Sequence, residues 1–128
     1  MTYNKSMKKL ITVVELTPYI HAVQDVWDDA ERASFTTYIA ENYKDGDLIQ
    51  GTGGLRKIRW KRPGIGKRGG VRIIYYYYDQ QAPVYLITAF AKNEKENLTN
   101  DDKKYLSALT SQLKEEIKNR RRGDHNEK

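Results

Sequence analysis

The sequence predicts a single α+β domain, an antiparallel sheet built in the order β-α-α-β-β-β-α with its helices packed on one face. Three observations carry this. Leu55–Trp60 alternates charged and apolar residues as a half-buried strand does, and Val71–Tyr78 is rich in β-branched and aromatic residues. Val84–Ala91 is a third apolar run, entered through a turn ending in Pro83, which puts three consecutive strands in a meander. Leu106, Leu109, Leu113 and Ile117 then recur at helical spacing and give one apolar stripe.

The other elements follow in order. Residues 1–6 read as a disordered extension, 7–119 as the domain and 120–128 as a frayed basic tail. Lys9–Glu15 has the composition of a first strand. Thr17 before Pro18 has the form of a helix opening, a capping hydroxyl with proline at the first helical position. Ile20, Val23 and Trp27 share a face of that helix. Asp28 and Glu31 have the spacing of a capping box for a second helix, continued by Phe35, Tyr38, Ile39 and Asn42 and closed at Lys44–Asp45–Gly46. Thr99 with Asp101 and Asp102 opens the last helix.

Composition narrows the function. The chain has 128 residues and a formal net charge of +6, a balance that favours a polyanionic partner. Cysteine is absent, which removes disulfides and thiolate chemistry. His21 and His125 are the only histidines, too few for an ordinary zinc site; His21 reads as a surface or structural residue, so a Ser-His-Asp triad lacks a plausible histidine. Asp28, Asp29 and Glu31 are explained by helix capping and the helix dipole better than by acid–base chemistry. No segment approaches a membrane span, and the N-terminal apolar run stops at Glu15, so a cytoplasmic protein with no membrane partner is expected.

The bases are concentrated. Between Gly51 and Arg72 lie eight Lys or Arg and no acid: Arg56, Lys57, Arg59, Lys61, Arg62, Lys67, Arg68 and Arg72. In Leu55–Trp60 the alternation sends Lys57 and Arg59 to one face, Ile58 and Trp60 to the other. Arg62–Gly70 joins the two strands as a basic hairpin. Its Gly64-Ile-Gly66-Lys-Arg-Gly69 matches a dinucleotide-binding pattern but precedes a strand, not a helix. Of Tyr75–Tyr78, two should face the core and two could stack on bases. A cationic sheet face of this kind fits RNA phosphates, either as a passive binding surface or as a cleavage site. In cleavage the ribose 2′-hydroxyl attacks the adjacent phosphate; a lysine can take its proton where neighbouring cations favour the neutral amine, which makes Lys57 a candidate base. A binding module without catalysis and an adaptor for an acidic protein use the same face.

LIQGTGGLRKIRW, GKRGGVRIIYYYYD and a hydrophobic strand ending in AKNEKENL, in that order, resemble the HigB-type branch of the RelE toxin superfamily over roughly Lys8 to Ile117. The resemblance implies a RelE-like fold and the toxin half of a bacterial toxin–antitoxin pair, cutting mRNA in the ribosomal A site without metal or other cofactor. It also implies a cognate antitoxin, often with a helix-turn-helix domain. Lys57 and Arg59 match the family's basic-x-basic pair, Arg72 its third-strand arginine, and Lys92 and Lys95 the basic cluster after the fourth strand. Lys57, Arg59, Arg72 and Lys92 are thus the expected catalytic set, with Arg56, Lys61, Arg62, Lys67, Arg68 and Lys95 as RNA contacts. Asn93 stands where the RelE pattern has an arginine, and no tyrosine matches its C-terminal catalytic one.

Overall fold

In the structure, a computed structural model that describes residues 10–60, 70–91 and 98–126, a five-stranded sheet runs in the order β1 (Val13–Glu15), β5 (Val84–Ala91), β4 (Val71–Tyr76), β3 (Leu55–Trp60), β2 (Asp47–Leu48). The helices are α1 (Thr17–Val23), α2 (Asp29–Glu41) and α3 (Asn100–Asn126). The α+β class and element order agree with the sequence reading, and β3–β4–β5 is the expected antiparallel meander. Two features were not anticipated. β1 lies parallel to β5, so the sheet is mixed, and the two-residue β2 adds an edge beside β3. Strand β1 is also shorter than Lys9–Glu15 and begins at Val13.

Central strand β4 is buried on both faces, which is why its sequence lacks polar alternation. Ile73 and Tyr75 join Val84, Leu86 and Ala89 in a core with Tyr19, Val23, Trp27, Phe35 and Ile39, so α1 and α2 share that face. Ile74 and Tyr76 join Leu55, Tyr85 and Ile87 in a second core with Leu106, Leu113 and Ile117. Helices on one face therefore describes α1 and α2, while the stripe of α3 packs with side chains that point the other way. A bulge between Ile74 and Tyr75 leaves Ile87 as the extra residue, because Ile74 pairs with Thr88 and Tyr75 with Leu86.

The caps refine the reading. Leu16, not Thr17, is the N-cap of α1, with no side-chain cap bond and proline in the first turn. Asp28 caps α2 by accepting from the Glu31 N–H at 2.8 Å, but the Glu31 carboxylate turns away and accepts from Trp60 Nε1 at 2.6 Å. Thr99 and Asp102 form the full reciprocal box at α3: Asp102 N–H donates to Thr99 Oγ1 and Thr99 N–H to Asp102 Oδ2. Glu15 ties β1 to α2 through a two-point pair with Arg32.

The expected frayed tail from Arg120 is helix instead, since α3 continues to Asn126. Arg121 supplies a reason: Nη1 donates to Asp79 Oδ2 at 2.9 Å and Nη2 to Oδ1 at 2.6 Å, with the guanidinium 5.5 Å from the Tyr78 ring centroid. Two parallel charge-assisted bonds and a ring contact pin the end of α3 to the β4–β5 turn.

The Arg121 hydrogen bond holds the Asp79 carboxyl below the usual carboxylate range. A depressed folded-state pKa means that this contribution is fully present above the unfolded carboxyl pKa and disappears as pH falls through the folded value. Arg121→Gln is expected to speed amide exchange in the last turns of α3 at neutral pH. After correction for intrinsic exchange, that difference should close progressively as the pH is lowered below about 4.

Candidate functional site

Strand pairing decides which cations can act together. Arg59 lies directly across from Arg72, and Lys57 across from Ile74, in the β3–β4 ladder. Because Ile74 belongs to the α3-side core and Ile73 to the opposite one, Lys57, Arg59 and Arg72 all lie on the face away from α1 and α2. Helix α3 covers the half of that face that ends at the β4–β5 turn. Arg72 begins β4, at the far end from that turn.

Arg72 is the only charged residue in β4. Directly opposed like charges destabilise a strand pair, yet among the described residues neither Arg59, Arg72 nor Lys57 has an ion-pair partner. Arg59 is exposed, whereas Lys57 and Arg72 are half-buried. The Nη1 of Arg72 is fully buried and meets no hydrogen-bond acceptor among the described residues. Gly70 has φ of +152°, a conformation favouring glycine, and a Cβ there would lie 3.4 Å from Arg59 Nε. The Arg59 side chain thus lies over bare backbone.

Arg56 does not belong with these cations. It alternates onto the α1–α2 face, where its Nη1 donates to Gly46 O at 2.8 Å and Lys44 O at 3.1 Å. Sequence charge alone grouped it with the RNA contacts; the ladder makes it a strut for the turn before β2. Tyr75 completes that strut. Its hydroxyl donates to Tyr43 O at 2.9 Å and accepts the Gly46 N–H at 2.8 Å, and a Cβ on Gly46 would sit 2.6 Å from the phenol oxygen. Burial pushes the Tyr75 phenol up, against the opposing pull of the Gly46 N–H.

The remaining expected residues, Lys61, Arg62, Lys67, Arg68, Lys92 and Lys95, lie outside the described residues, as does the glycine pattern 64–69. Two of the four tyrosines are core, as expected, but they are the consecutive Tyr75 and Tyr76, one in each core, because β4 is buried on both faces. Tyr77 packs on Tyr43 at 4.7 Å between ring centroids and Tyr78 lies under Arg121, so both outer rings are engaged within the fold. His21 is exposed on α1. Among the described residues no group of three His, Asp or Glu could hold a metal ion, and no helix is long and apolar enough to cross a membrane.

A model of the family described as "RelE toxin of RelE / RelB toxin-antitoxin system" matches residues 21–121. Among solved structures, a mutant of the E. coli toxin RelE in its free state aligns with a TM-score of 0.50 at 13% identity, over 68% of this chain and 88% of that one. At that identity the second likeness speaks to the fold.

The two kinds of arginine should separate by stability. Arg56→Ala removes two hydrogen bonds to carbonyls and is expected to cost about 1–3 kcal/mol in urea unfolding. Lys57→Ala and Arg59→Ala remove charges that have no ion-pair partner among the described residues and should stay within about 0.5 kcal/mol of wild type.

Proposed function

The chain belongs to the RelE toxin family, and from that premise we propose that it cleaves messenger RNA on the ribosome and so stops translation, held in check by a cognate antitoxin. The observation that carries this reading is the pairing of Arg59 with Arg72 beside Lys57, on a face that α1 and α2 leave open. That Arg72 Nη1 meets no acceptor among the described residues supports a role for this guanidinium as a donor to a phosphate oxygen.

The proposed reaction is a transesterification. The ribose 2′-hydroxyl gives up its proton as its oxygen forms a bond to the adjacent phosphorus, the bond from phosphorus to the 5′-oxygen breaks, that oxygen takes up a proton from water, and the products carry a 2′,3′-cyclic phosphate and a 5′-hydroxyl. Arg72 and Arg59 hold the non-bridging oxygens and stabilise the charge that grows on them; a guanidinium stays protonated throughout, so neither acts as base. Lys57, in the adjacent row of the ladder, either adds a third charge or takes the 2′-proton. Lys92 remains part of the proposed set, with Lys61, Arg62, Lys67, Arg68 and Lys95 as backbone contacts, by the family resemblance and their place in the chain. The antitoxin, proposed to carry a helix-turn-helix domain, works by covering this cationic face, which an acidic segment suits. The site of action is the cytoplasm.

The test is induction of the chain alone, with soluble protein confirmed. Growth should stop and messages should be cut within coding regions; normal growth would reject the toxin reading in favour of a binding module. Arg72→Ala should lower single-turnover cleavage on programmed ribosomes about a hundredfold, corresponding to roughly 3 kcal/mol of transition-state stabilisation. Lys57→Arg separates the two roles of that lysine. It retains most activity if Lys57 only places phosphate, and falls as far as Lys57→Ala if Lys57 is the base. Wild-type rates in Lys57→Ala and Arg72→Ala would discard the site.

A further inference from the structure

One cavity adjoins the cationic row without being part of it. Its volume is about 240 Å3, and its lining, mostly apolar, includes Thr88, Phe90, Leu98, Tyr105 and Leu109, with Asp102 as its one acidic member. The floor is β5 and the wall is the first half of α3. That volume is below the roughly 300–1,000 Å3 of pockets for drug-sized ligands, and it suits a single ring system.

The ladder fixes how this cavity relates to the arginines. Arg59 pairs with Arg72, and Arg72 pairs with Phe90, so the three side chains form one row across β3, β4 and β5 on one face. Adjacent strands lie about 4.8 Å apart. A phosphate held at Arg72 therefore places its own nucleotide within reach of the ring of Phe90. Thr88, two residues before Phe90, shares its face one row away and also lines the cavity. At the open side Tyr105 is 64% exposed, a large aromatic ring on the polar side of α3 that no core cluster uses.

We propose that this cavity receives one unpaired nucleobase of the RNA whose phosphate rests on Arg59 and Arg72, with Phe90 beneath the base and Tyr105 beside it. Cations leading into an aromatic-lined recess are the arrangement by which proteins hold single strands: charge tracks the backbone and rings accept bases. The same row favours RNA over an apolar peptide as the occupant, since a peptide gains nothing from two neighbouring guanidinium groups that have no ion-pair partner among the described residues. The recess makes the face selective for a splayed-out strand over a duplex, whose bases are stacked away. This inference rests on the reading of the face as an RNA site and adds to it a subsite for the base.

The test uses two short RNAs with 2′-O-methyl riboses, which cannot be cleaved, one intact and one with a single abasic position placed in turn along the strand. Binding is followed by fluorescence anisotropy at low salt. Wild type should bind the probe abasic at the seated position about tenfold more weakly than the intact one. A Phe90→Leu, Tyr105→Ala variant, whose fold is checked by thermal unfolding, should bind the two alike. Arg72→Ala should weaken both probes while keeping their ratio. If wild type bound every abasic probe like the intact RNA while Arg72→Ala weakened all of them, the base subsite would fall and the phosphate face would stand. If Arg59→Ala and Arg72→Ala left RNA binding unchanged, the RNA reading itself would fall, and the subsite with it. Loss of antitoxin binding in the Phe90→Leu, Tyr105→Ala variant, with abasic discrimination intact, would make the cavity a protein-docking site and overturn the proposal.

Discussion

The register of β3 against β4 governs the rest of the molecule. It sets Arg59 opposite Arg72, and like charges directly opposite one another destabilise a strand pair. The same ladder pairs half-buried Ile58 with Ile73 and Leu55 with Tyr76, and fully burying a side chain such as Leu55 or Ile73 contributes about 1.5–3 kcal/mol. Slipping the pairing by one residue would bring Arg72 into the α1–α2 core and turn Ile73 out. The apolar pattern that stabilises the sheet therefore forces the two cations together, and neither can leave without losing the register.

Much of this is legible in the sequence. The alternation in Leu55–Trp60 assigned the face of Lys57 and Arg59 correctly, and Val84–Ala91 and the α3 stripe emerged with the expected residues. What was hidden depends on pairing. Asp47–Leu48 is too short to show periodicity, and β1 joins β5 through contacts with residues some seventy positions away. A bulge leaves no mark in a strand that is apolar on both faces, so the alignment of Phe90 with Arg72 could not be read.

Arg56 shows why charge counting misassigns residues. It stands one position from Lys57, and in a strand one position is a change of face. Its guanidinium bonds carbonyls of the turn that Tyr75 also holds. Glu31 is a similar case: its spacing from Asp28 announced a capping box, but the Trp60 indole offered its carboxylate a partner from another element. Both were explicable locally and were captured by tertiary contacts, which a single sequence does not display.

The two faces of the sheet divide labour because the helices cover them unequally. α1 and α2 close one face, with Trp60 packed edge-on to Phe35 at 5.3 Å and its indole held by Glu31. On the other, α3 is fastened by Arg121 to the β4–β5 turn and by the Thr99–Asp102 box at its start, so its stripe buries only part of the sheet. Among the described residues Arg59 and Arg72 lie beyond that cover, while Phe90, at the other end of their row, is half-buried against the α3 side. Two like charges set side by side at the end of a strand pair are costly to the fold alone. The placement of the helix, as much as the cations themselves, is what leaves this strip of sheet to a ligand that brings negative charge and a flat ring together.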